Sequence, residues 1–76
     1  SRRRYVEVGF RGGAIWSPRL DGGRVLVAEP GRTRLELDER LPLEELVALA
    51  RGAGVLTRFS FEPPALSDLF REAVGR

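Results

Sequence analysis

The 76 residues include no cysteine, methionine, histidine, lysine, asparagine or glutamine. Without cysteine there is no disulfide and no thiol chemistry, and cysteine usage says nothing about the redox compartment. Without histidine and cysteine, structural zinc sites and histidine-based triads are excluded. Without lysine there is no phosphate-binding P-loop and no Schiff base. No apolar run approaches the roughly 20 residues of a membrane-spanning helix. The start, Ser1-Arg2-Arg3-Arg4, carries neither an initiating methionine nor a signal-peptide pattern. It reads as the end of a linker, and the chain as a piece of a longer protein.

All 13 basic residues are arginine, against 11 acidic residues, for a net charge of +2. The guanidinium fork suits phosphate, but so small an excess fits a GC-rich codon bias better than a nucleic-acid binder. A hydrophobic content of 42% with 32% charged residues is that of a globular domain. At this length it is a single domain with a limited core and marginal stability.

Tyr5 to Phe10 alternates, with Val6, Val8 and Phe10 on one face and Tyr5, Glu7 and Gly9 on the other, which predicts a half-buried strand. Ala14-Ile15-Trp16 is a short apolar patch, and residues 14–20 form either a strand or a loop. Asp21-Gly22-Gly23 signals a turn. Arg24 to Glu29, with Val25 and Val27 sharing a face, and Thr33 to Asp38, with Leu35 and Leu37 inward and Arg34 and Glu36 outward, flank Pro30-Gly31. Proline and glycine at the two central positions predict a type II turn, and the two runs a hairpin.

Pro42 suits a first helical position, and Glu44 and Glu45 suit the positive end of the helix dipole. Leu43, Leu46, Val47 and Ala50 form an apolar stripe that ends at Gly52 or Gly54. Val55, Thr57, Phe59 and Phe61 alternate with Leu56, Arg58 and Ser60, a further strand stopped by Pro63-Pro64. Leu66, Leu69, Phe70, Ala73 and Val74 then line one helical face. The expected domain is α+β: residues 1–4 a linker remnant, 5–38 strands and hairpin, 42–53 a helix, 54–62 a strand, 65–75 a C-terminal helix. A mainly antiparallel sheet of four strands, or five with residues 14–20, would carry both helices on one face. This is a reduced ferredoxin-like arrangement in the order strands, helix, strand, helix.

Chemistry is sparse. Glu36, Asp38, Glu39, Glu44 and Glu45 are acidic, but a strand face and a helix start do not bring their oxygens within about 2.5 Å of one ion. A solvated face with helix-dipole pairing is the simpler account. No carboxylate pair sits in an apolar setting that would separate acid and base roles. Arginines 2, 3, 4, 11, 24, 32 and 34, with Tyr5 as the one outward aromatic, admit single-stranded RNA binding on a sheet face. The glycine-aromatic signature of the common RNA-recognition sheet is missing, and Glu36 cancels the field of Arg34. Trp16 fills a core edge or, with Arg34, contacts a partner.

The tail Leu66-Ser67-Asp68-Leu69-Phe70-Arg71-Glu72-Ala73-Val74-Gly75 resembles the closing motif of bacterial ABC-transporter ATP-binding subunits of the drug-, antibiotic- and sodium-export type. Those subunits carry a small C-terminal accessory domain ending in Glu-Pro-Ser-Leu-Glu-Asp-Val-Phe, an apolar helix and Thr-Gly. Pro64, Leu66, Asp68, Phe70 and Gly75 match in register, and Leu69 is a conservative fit. Leu43 to Val47, Gly54-Val55 and Phe59 to Glu62 resemble the family's helix and final strand. Ala65 replaces the family's serine and so lacks a helix N-cap worth about 1 kcal/mol. The resemblance implies a non-catalytic accessory domain without cofactor of its own, joined to an upstream ATPase domain that uses ATP and Mg²⁺. It implies a permease partner, a cytoplasmic location at the membrane-associated face, and scope for a homodimer. Nucleic acid is not an expected partner. A single-stranded RNA-binding or small-ligand-sensing α+β domain is the alternative.

Overall fold

The computed structural model describes residues 3–62. Strands β1 (Arg4–Phe10), β2 (Gly23–Glu29) and β3 (Arg32–Leu37) precede helix α1 (Leu43–Ala53) and strand β4 (Leu56–Glu62). The domain is thus α+β, with one four-stranded antiparallel sheet in the order β2-β3-β1-β4. The expected C-terminal helix, with Pro64, Leu66, Asp68, Leu69, Phe70 and Gly75, lies outside the described residues. Residues 14–20 form no strand, so there is no fifth strand among the described residues.

The chain reaches this order through one hairpin and two crossovers. Pro30-Gly31 turns β2 into β3, with Gly31 at φ 77°, the value a type II turn requires of its second central residue. Residues 11–22 carry the chain from β1 past β3 to β2. Helix α1 carries it from β3 past β1 to β4. Both crossovers pack on the same face. Leu46 and Ala50 of α1 join Val6, Val8, Phe10, Leu35 and Leu37 in the core, and Ala14, Trp16 and Leu20 of the loop pack against it. The Trp16 ring meets Phe10 edge to face at 5.6 Å. The Thr33 hydroxyl, wholly buried between these layers, donates to the Trp16 carbonyl at 2.7 Å. The Gly31 N–H donates to the Ala14 carbonyl at 2.8 Å. An irregular segment can lie against a core here because its backbone groups find partners on the sheet.

The helix begins one residue later than expected. Pro42 is its N-cap, with extended ψ of 132° and no side-chain capping bond. Glu44 and Glu45 in the first turn partly compensate through the dipole. Gly54, not Gly52, ends it. The connection from β3 is tied down from β1. Arg4, expected in a linker remnant, belongs to β1 and donates to the carbonyls of Asp38 at 2.6 Å and Leu41 at 2.7 Å. The Asp38 carboxylate accepts from the Arg40 backbone N–H at 3.0 Å, an Asx turn.

Two irregularities overturn the expected facing of side chains. The β2–β3 register shifts between Val25 and Val27, so Val25 pairs with Leu35 but Val27 with Arg34. The bulge takes up one residue, and the two valines face opposite sides. The β1–β4 register shifts between Gly9 and Phe10, so Phe10 pairs with Leu56 while Val8 pairs with Phe59. Leu56 therefore packs on the core beside Phe59, and Val55 is 60% exposed.

Gly31→Ala places a β-carbon in left-handed backbone and 3.0 Å from the Gly12 carbonyl oxygen. A loss of about 1–2 kcal/mol is expected from the backbone alone, read as a lower urea midpoint with an unchanged slope. An unchanged midpoint contradicts the turn geometry.

Candidate functional site

The sheet face away from α1 concentrates the charged residues. Strand register arranges them in rows. Arg24, Glu36, Tyr5 and Glu62 form one, Val27, Arg34, Glu7 and Ser60 the next, and Glu29, Arg32, Gly9 and Arg58 the third. Neighbouring strands thus set basic against acidic side chains, the cross-strand arrangement that stabilises rather than repels.

Glu36 is the centre. Its residue is 4% exposed, yet it is ionisable and stands one residue before the end of β3. Arg24 donates its Nε–H to Oε1 at 2.5 Å, and Arg3 donates to Oε2 at 2.8 Å. The Tyr5 hydroxyl approaches Oε2 at 3.5 Å, the outer limit of a hydrogen bond. Burial pushes the Glu36 carboxyl up. The hydrogen bonds and charges of Arg3 and Arg24 outweigh it, and the net effect lies below the ordinary glutamate value of 4.5. The Arg34 guanidinium lies 5.7 Å from the centre of the Tyr5 ring, a cation–π contact.

A second cluster gathers on Glu7. Arg32 donates to it at 3.0 Å and to Glu29 at 2.9 Å, and Arg58 stands 3.9 Å away. The hydrogen bonds it donates to Glu29 and then Glu7 hold the Arg32 guanidinium above its ordinary value, so it stays charged. At the sheet end, Arg3, Gly22, Gly23, Arg24, Glu36 and Asp38 line a hollow of about 240 Å³. Its two arginines and two carboxylates balance, which selects neither an anion nor a cation.

Several expectations change here. Arg34 faces away from the core side as its alternation requires, but it is 9% exposed, not a solvated contact. Tyr5, expected to face out, is 4% exposed. Glu36 is a buried ion-pair acceptor rather than part of a solvated acidic face. Asp38 instead serves the turn to α1, and hydrogen bonds from the Arg40 side chain and backbone hold its carboxyl low. Among the described residues, no three acidic side chains gather as a cation site. Trp16 sits half-buried against Phe10. The Glu36 cluster escaped sequence reasoning. Its available signal was Glu7 and Tyr5 falling opposite Arg34 and Glu36 once β1 is paired antiparallel with β3.

Glu36→Gln removes the charge that Arg3 and Arg24 share. Both arginines are more than half exposed, at 52% and 56%, so solvent screening keeps the expected loss near about 1 kcal/mol at pH 7. A carboxyl held low contributes stability above its ordinary value and loses it as pH falls through the lowered one. The gap between parent and variant in urea melts should therefore close as pH falls below about 4. A gap that stays constant to low pH contradicts the ion-pair account.

No helix among the described residues is long and apolar enough to cross a membrane. Comparison of the chain with protein-family models gives no match, nor does comparison with curated proteins or with solved structures.

Proposed function

We propose that the chain is a non-catalytic accessory domain of an ABC-transporter ATP-binding protein, acting through contacts with a subunit or the permease. The observation that carries this reading is the order of parts at the C-terminal end. Helix α1 over Leu43–Ala53 and strand β4 over Leu56–Glu62 run directly into Pro64, Leu66, Asp68, Leu69, Phe70 and Gly75 in the family's register. The strand order β2-β3-β1-β4 supports the finer reading of a ferredoxin-like sheet, with residues 11–22 standing where that fold places its first helix.

On this reading the parent protein hydrolyses ATP with Mg²⁺ through residues outside this chain, and the domain biases the ATPase mechanically. Such coupling requires contacts that differ between the states of the transporter. The balanced outer face favours this over RNA binding. Its arginines are already engaged by Glu36, Glu7 and Glu29, which leaves little field for phosphates.

Two measurements test the reading. The 76-residue chain with ATP and Mg²⁺ should release no phosphate above a heat-killed control, and measurable turnover overturns the non-catalytic assignment. Deleting the domain from its ATP-binding protein should change ATPase rate or permease assembly about fivefold or more. Unchanged hydrolysis, assembly and transport overturn the accessory role.

A further inference from the structure

The two edges of the sheet are not alike. The β2 edge is interrupted by the bulge between Val25 and Val27, a device that discourages pairing with another chain. The irregularity in the β1–β4 ladder lies at the other end of β4, near Leu56, and Arg58 to Glu62 run regularly against Gly9 to Tyr5. No strand among the described residues pairs with the far edge of β4. Phe61 on this strand is 58% exposed although it shares the core face with Phe59.

The order Arg58-Phe59-Ser60-Phe61-Glu62 is complementary to itself when reversed. The geometry points to antiparallel pairing of β4 with β4 of a second copy, Ser60 lying on the two-fold axis opposite its own counterpart. In that register Arg58 faces Glu62 and Phe59 faces Phe61, and each pair occurs twice, as an isologous contact demands. Arg58, Ser60 and Glu62 share the outer face, so each arginine meets a carboxylate that otherwise accepts from Ser60 at 2.8 Å. Phe59 and Phe61 already stand edge to face at 6.5 Å, and the second copy extends them to a row of four rings. Pro63 follows directly, and its missing N–H limits the ladder to this short segment. The two-fold closes on a dimer rather than a fibre. The product is a continuous eight-stranded sheet with both α1 helices on one face. This pairing stands independently of the transporter reading.

Sedimentation equilibrium of the 76-residue chain should show a monomer–dimer equilibrium. Arg58→Glu sets like charges opposite each other twice, and Glu62→Arg does the same. Each should weaken association roughly tenfold, with folding checked by circular dichroism. The double variant Arg58→Glu/Glu62→Arg should recover it. Arg58 also lies 3.9 Å from Glu7 within its own chain, a contact the double variant does not restore, so recovery reports pairing between copies. The chain holds no cysteine, so Ser60→Cys supplies a lone thiol at the axis. It should form a disulfide-linked dimer on air oxidation faster than Arg51→Cys on the exposed face of α1. A monomer at every concentration, association indifferent to both single reversals, or equal cross-linking at 60 and 51 overturns the proposal. So does a monomer that instead takes up an extended foreign peptide along β4.

Discussion

Everything in this domain hangs on the double pairing of β1. It lies between β3 and β4, strands that follow it in sequence by more than twenty and more than forty residues. One face of β1 supplies Val6, Val8 and Phe10 to the core, and the other supplies Tyr5 and Glu7 to the polar layer. No other described strand lies between β3 and β4. Both crossovers exist because β1 occupies the middle, and each must pass over the core face. Non-local pairing of this kind incurs its loop-closure cost before any contact rewards it. In so small a chain that leaves the sheet centre as the main cooperative unit and the crossovers as its dependants.

The polar layer follows from the same placement. A central strand has a neighbour at both edges, whose side chains crowd its outer face, so charged side chains there must be paired. Glu36 meets that condition through Arg3 and Arg24, Glu7 through Arg32. The Glu36 pairs add little net stability, since the Arg3 and Arg24 side chains remain more than half exposed. It also spends the charge that a nucleic-acid surface would need. What remains available for recognition lies elsewhere, at the β4 edge and at exposed apolar side chains such as Phe61 and Leu49. A domain built this way is suited to meeting another folded surface, which is the role proposed for it beside an ATPase.

The sequence made the elements legible and their faces less so. Alternation located β1 and β3, and Pro30-Gly31 located the hairpin, because the turn's backbone demand is local and only glycine meets it cheaply. The stripe through Leu46 and Ala50 located α1. The faces of Val27 and Leu56 were lost to bulges, which depend on the partner strand and leave no mark on single-strand periodicity. The burial of Arg34 and Glu36 was hidden for a related reason. Polar residues at alternate positions look solvated until the flanking strands are known. The tail that gives the transporter resemblance, with Pro64, Leu66, Asp68, Phe70 and Gly75, lies outside the described residues.

Amide hydrogen exchange under native conditions tests the central place of β1 most directly. If β1 is the strand on which both halves depend, the amides of Tyr5 to Val8 and their β3 partners exchange last, near the global unfolding free energy. Those of β2 and of the far edge of β4 exchange earlier. Amides of β1 that exchange as fast as those of β2, while the β2–β3 hairpin stays protected, would contradict the account by showing a hairpin that stands without its centre.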